Sequence, residues 1–283
     1  MIFAASNIAW VPHKRTEAYA SLQKYGFTGL EIAPRMFLWD SEDPFKPTRD
    51  EARAALDEAA GFGLRLVSMQ SLLFGVADAA MFETPEKLSN FTVGMERAID
   101  LAGQIGIPNL VFGSPGQRIR PEEMSNEDAT ARACEILVPL ADRAQAAGTV
   151  IALEFNPIDY GTNFMNILEQ VLAVVELASH PAITMNFDVG AMYMNGVFDR
   201  IEAMIAAVRS RVSHVHISEP FLGPAPARVE DAVRVLAGLE AIDYGRAVSI
   251  EMKAVGEDGG STELNKALER LALARDTSIQ LQQ

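Results

Sequence analysis

Val150-Ile151-Ala152-Leu153-Glu154-Phe155-Asn156 is an apolar run that gives out into polar residues at its C-terminal end. Read with the two-residue period of a strand, Ile151, Leu153 and Phe155 form one face, and Ala152, Glu154 and Asn156 the other. Such a strand needs helices over its apolar face and an interior to receive the glutamate. The flanking sequence supplies the helices. Upstream, residues 126–147 are amphipathic, open with Asn126 as a cap and stop at Gly148. Downstream, residues 166–177 form the next helix.

The same unit recurs along the chain. With the strand above bounded at 150–154, further strands are predicted at residues 2–5, 30–32, 64–69, 110–112, 184–188, 212–217 and 247–251. Helices are predicted at residues 16–25, 48–61, 84–105, 200–208, 229–241 and 262–281. Thr48 followed by Glu51 has capping-box spacing, and Pro85 suits a first helical turn. Strict alternation implies a parallel sheet, because each return to the same edge needs a crossover helix. Eight units favour closure into a (β/α)8 barrel. An open doubly wound sheet would want a glycine-rich turn after the first strand, and Ser6-Asn7-Ile8-Ala9-Trp10 has none. No linker or low-complexity segment divides the chain, so residues 1–283 read as a single domain, with 256–260 (GEDGG) as the loop after the last strand.

Apolar residues make up 49% of the chain, ample for a core. A formal charge of −14 argues against a nucleic-acid groove and against an anionic membrane surface, and it suits a cation site. The one cysteine, Cys134, has no partner for an intramolecular disulfide and reads as a core residue. The N-terminal residues lack the basic and apolar regions of a signal peptide. No window approaches the ~20 apolar residues of a membrane span. These features lead to the expectation of a cytoplasmic protein acting on a small molecule.

In a barrel of this kind the chemistry sits at the C-terminal strand ends. The last four strands end in Glu154-Phe155-Asn156, Asn186-Phe187-Asp188, His214-Val215-His216 and Ser249-Ile250-Glu251-Met252-Lys253. Alternation turns Glu154 and Glu251 inward with Asn156, Ser249 and Lys253. Two ionised carboxylates ~4 Å apart repel by roughly 4 kcal/mol at an effective dielectric near 20. A divalent cation removes that difficulty. Glu154, Asp188, His216 and Glu251 offer three oxygens and a nitrogen, a set suited to Mn2+ first, then Mg2+ or Co2+, with Zn2+ less favoured by so oxygen-rich a shell.

The chain resembles the sugar phosphate isomerase/epimerase superfamily, the xylose isomerase-like TIM barrels that include D-tagatose 3-epimerase relatives. The resemblance runs through Gly29-Leu30-Glu31-Ile32, Leu153-Glu154, Asp188-Val189-Gly190, His214-Val215-His216 and Val248-Ser249-Ile250-Glu251-Met252-Lys253. It implies a metal on Glu154, Asp188, His216 and Glu251, with Glu154 and Glu251 as the catalytic acid/base pair. It also implies a homodimer or homotetramer. Three positions depart from the family pattern. Ala191 replaces a usual histidine, Glu219-Pro220-Phe221-Leu222 carries no arginine, and Asp159-Tyr160-Gly161 stands where a second glutamate is usual. The zinc AP endonucleases share this fold, but Gln70 and Ser114 stand near where their extra histidines would be, so DNA cleavage is not expected.

Substrate contacts are expected from Asn7, Glu31, Gln70, Ser114, Asn156, Glu219 and Lys253, with Arg118 as a further polar group and Trp10, Trp39, Phe74 and Phe221 as walls. His214 reads as an interior histidine. The leading function is a metal-dependent isomerase or epimerase of a sugar or sugar phosphate. The alternative is a metal-dependent lyase that dehydrates a ketosugar or keto-inositol. A barrel that binds without catalysis is the third reading.

Overall fold

The computed structural model describes residues 1–280. From the N-terminus the elements are β1 (Ile2–Ser6), α1 (Arg15–Lys24), β2 (Gly29–Ile32), α2 (Pro34–Phe37), α3 (Arg49–Gly61) and β3 (Arg65–Met69). Then come α4 (Pro85–Ile105), β4 (Asn109–Phe112), α5 (Asn126–Ala146), β5 (Val150–Glu154), α6 (Leu168–Ala178), β6 (Ile183–Asp188) and α7 (Val189–Met194). The chain continues through α8 (Ile201–Ala207), β7 (Val212–Ser218), α9 (Val229–Ala241), β8 (Ala247–Glu251) and α10 (Ser261–Gln280). The strands form a closed parallel barrel in the order β1 to β8, so the expected (β/α)8 TIM barrel is the fold. Position 281, the last of the helix expected at 262–281, lies outside the described residues.

Local chemistry explains the boundaries. The Thr48 side chain accepts the N–H of Glu51 while the Glu51 carboxylate accepts the N–H of Thr48, the reciprocal box expected there. Thr84 caps α4, with Pro85 in its first turn and Gly106 in left-handed backbone at its end. Two expectations need correction. The cap of α5 is Ser125, whose hydroxyl accepts the N–H of Asp128, and Asn126 is the first helical residue. Asn166 does not begin a helix: its amide donates to the carbonyls of Asn156 and Thr162, and α6 starts at Leu168. The short α2 and α7 were not expected, each being a single tight turn or two directly after a strand.

The chain divides into two compact units. Among the described residues the first comprises Met1–Val67, Phe187–Ser210 and 214–280. Within it β1 pairs with β2 and β8, and β7 with β8, in registers that set His216 beside Ser249 and Ser218 beside Glu251. Its tightest point is Gly29, where an added Cβ would come within 2.7 Å of the Ala4 Cβ. The interior there is made of small residues, Ala4, Val67 and Ala247. Trp10 belongs to this unit's core: it is 2% exposed and packs edge-on against Tyr19, so it does not wall a pocket.

The second unit comprises Ser68–Asn186 and Arg211–Ser213. Here β5 pairs with β4 and β6, setting Glu154 beside Asn186. Cys134 is buried on α5, as expected for a core residue. A buried polar chain links the side chains of Ser68, Asn109, Ser213 and Thr184 through hydrogen bonds of 3.0, 2.7 and 2.6 Å. No helix among the described residues is long and apolar enough to cross a membrane.

Candidate metal centre

In the first unit the strand ends deliver Asp188 from β6, His216 from β7 and Glu251 from β8, all buried. The His216 Nδ1 lies 3.2 Å from a Glu251 oxygen and 3.7 Å from an Asp188 oxygen. Its Nε2 lies 3.1 Å from both oxygens of Glu31. Asp188 also caps α7: its Oδ1 accepts the N–H of Ala191 at 2.5 Å, and its Oδ2 accepts the Ser218 hydroxyl at 2.8 Å. At the position where a histidine was looked for, the chain contributes a backbone donor to Asp188.

Glu31 is fully buried beneath this group. Its carboxylate accepts the Ser249 hydroxyl at 2.9 Å and lies 3.3 Å from the His214 Nε2. Burial pushes the Glu31 carboxyl up, but the adjoining His216 and His214 rings outweigh it and hold it well below the usual carboxylate range. Glu31, expected as a substrate contact, is thus held in the interior by these partners, and His214 is buried, as expected of an interior histidine. Asn7 is likewise internal: its amide donates to the Ala33 carbonyl and its oxygen accepts the Ala33 N–H at 2.7 Å, which ties the end of β1 to the start of α2. Lys253 lies past β8 and is exposed. Glu219 is partly buried and accepts the N–H of Ala227 at 2.7 Å; burial pushes its carboxyl up. Trp39 and Phe221 are exposed, and Arg15 lies over the Trp39 ring.

In the second unit Glu154 ends β5 with both carboxylate oxygens engaged. Oε1 accepts the Asn186 amide at 2.6 Å, and Oε2 accepts the Asn156 amide at 2.8 Å. Arg118, fully buried, fixes the other end of Asn156 by donating Nη2 to its oxygen at 2.5 Å, while Nη1 donates to the Glu154 carbonyl at 2.9 Å. Burial pulls the Arg118 guanidinium down to about 9, against the pull of Glu154, so it stays protonated at neutral pH. Gly113 leaves room for the carboxylate: a Cβ there would come within 2.6 Å of Glu154 Oε2. Asn156 therefore supports Glu154 directly. Gln70 is buried, Ser114 is half-buried in left-handed backbone at φ 41°, and Phe74 is exposed.

Glu154, Asp188, His216 and Glu251 each offer a ligand atom, and these atoms lie within 4.8 Å of one another; Glu31, His214 and His216 make a second such group. The sequence reading did not single out Asn186 or Ser218. Both were within its reach, since Asn186 shares a strand face with Asp188, and Ser218 with His216, at the same two-residue period.

The barrel with this carboxylate and histidine group belongs to a recognised class. The model of the xylose isomerase-like TIM barrel family matches residues 19–274, and the chain belongs to that family. Among solved structures it is similar to the D-psicose 3-epimerase from Clostridium cellulolyticum H10 with D-tagatose, at 17% identity and a TM-score of 0.74 over 98% of both chains. It is also similar to the 3-keto-D-glucoside 4-epimerase from E. coli in its apo form, at 20% identity and 0.72 over 98% of this chain and 99% of that one. The D-allulose 3-epimerase from Methylomonas sp. in complex with D-allulose gives 19% identity and 0.74 over 97% of both. No curated protein matches by sequence.

Proposed function

We propose that this chain is a sugar or sugar-phosphate isomerase/epimerase that holds one divalent cation on Glu154, Asp188, His216 and Glu251. The observation that carries this reading is the convergence of those four ligand atoms. The donor set fits a cation on its own chemistry. Three carboxylates around one ring nitrogen form a concentration of negative charge and lone pairs that a divalent ion neutralises. The oxygen-rich set favours Mn2+, with Mg2+ and Co2+ next. When bound, such an ion supplies Lewis-acid polarisation of a carbonyl, which acidifies the neighbouring C–H.

The chain's own groups handle the proton. Glu154 is oriented by the amides of Asn156 and Asn186, and hydrogen bonds donated to both oxygens favour its ionised, proton-accepting form. Glu251 is the second carboxylate of the group. One glutamate removes the proton from the carbon beside the carbonyl, and the other returns a proton to the opposite face or to the adjacent carbon. The neighbours named as sugar epimerases support the substrate class. They lend no support to the alternative of a dehydrating lyase.

The test is direct titration. The protein should bind one Mn2+ per chain, and Mn2+ should raise its thermal midpoint by mass action. A His216→Ala variant that binds Mn2+ as tightly as the parent overturns the ligand set.

A further inference from the structure

We infer that Glu31 is a positioning residue: it fixes the tautomer of His216 and so decides which ring nitrogen faces the cation. The inference rests on the metal reading above and adds to it a residue on a different strand, 185 positions away in the chain.

The geometry carries it. His216 is fully buried, and its two ring nitrogens face different partners. On one side Nε2 lies 3.1 Å from Glu31 Oε1 and 3.1 Å from Oε2. On the other, Nδ1 lies 3.2 Å from Glu251 and 3.7 Å from Asp188. An ionised carboxylate can only accept, so the nitrogen facing Glu31 must carry the hydrogen. In the neutral ring that leaves the lone pair on Nδ1, aimed at the other ligands. Removing Glu31 takes away the carboxylate that accepts at Nε2, and an Nδ1–H form would be drawn to the Glu251 and Asp188 oxygens and block ligation. A carboxylate behind a ligating imidazole also raises its basicity, and removing such a partner typically costs 10–100-fold in metal affinity.

Glu31 is itself held for this role. Ser249 donates to its Oε2 at 2.9 Å, and His214 Nε2 lies 3.3 Å from its Oε1. The carboxylate thus has partners on two neighbouring strands and cannot rotate away from His216 without leaving buried donors unpaired.

Two measurements test it. In the Mg2+-loaded protein with 15N-labelled histidine, His216 should show its hydrogen on Nε2; with four histidines in the chain the assignment is tractable. A hydrogen on Nδ1 overturns the inference, and this needs no variant. In titrations with Mn2+ alone, Glu31→Leu, which removes the acceptor that a glutamine would keep, should bind about 10–100-fold more weakly than the parent. Ser249→Ala, which removes a donor from the same carboxylate but leaves the His216 contact, should bind within about threefold of the parent. Parent-like affinity in Glu31→Leu overturns the inference, as does an equal loss in Ser249→Ala, which would reveal general loosening. A parent protein that binds neither ion would instead overturn the metal reading itself.

Discussion

The Ser218 hydroxyl joins Asp188 to the first turn of α7: it donates to Asp188 Oδ2 at 2.8 Å and accepts the N–H of Gly190 at 2.8 Å. The turn is tight enough that a Cβ on Gly190 would come within 2.9 Å of the Glu219 carbonyl oxygen. Ser218→Ala should leave the Gly190 N–H without this acceptor and lower stability by about 1–3 kcal/mol. It should also weaken Mn2+ binding, by up to roughly tenfold, because Asp188 loses a donor that orients it. Denaturant melts and Mn2+ titrations check both; an alanine variant unchanged in both would show that Asp188 needs no such support.

Arg118 tests the support of Glu154. Arg118→Met should leave the Glu154 carbonyl and the Asn156 oxygen without their donor, at about 1–3 kcal/mol for each buried group. Arg118→Lys keeps the charge but not the planar fork that reaches both acceptors, so its stability should fall between the two. The thermal midpoint is the readout, and a methionine variant as stable as the parent would contradict the assignment.

Glu219 gives a pH prediction. Burial raises its carboxyl above the ordinary value of 4.5, Asp231 adds to the rise, and the Ala227 N–H opposes it. The folded state then holds a proton that the unfolded state has lost, so stability falls as pH rises from 4.5 through the raised value. Glu219→Gln keeps an acceptor for Ala227 and removes this effect. Its urea midpoint should exceed the parent's at pH 7, and the gap should close below pH 4.5. A gap that does not change with pH would rule out the carboxyl as its source.

The fold was legible because its short, largely apolar strands alternate with amphipathic helices, some opened by caps that residue type shows, as at Thr48 and Thr84; the strand expected at 150–154 is β5 as it stands. The four candidate ligands were legible as polar residues at the ends of the last four strands. What alternation cannot give is depth. Glu31 and Asn7 sit at strand ends like the ligands, yet both are buried among partners from distant segments, Glu31 beside β7 and β8 and Asn7 against Ala33. Trp10 looked like a wall because it follows a strand end, but the turn after β1 carries it into the core. Such differences depend on tertiary partners that no local period encodes.

The most direct test of the proposed chemistry is solvent exchange. Candidate ketoses and their phosphates are incubated with Mn2+ in D2O and followed by NMR and mass spectrometry. The account predicts a product isomeric with the substrate that carries one solvent deuterium. Glu154→Gln and Glu251→Gln should each lose about 10²–10⁴-fold in rate while staying folded. In an epimerisation, one variant should fail to exchange the substrate epimer and the other the product epimer. A product lighter by one water, or glutamine variants that exchange both epimers at the parent rate, would contradict it.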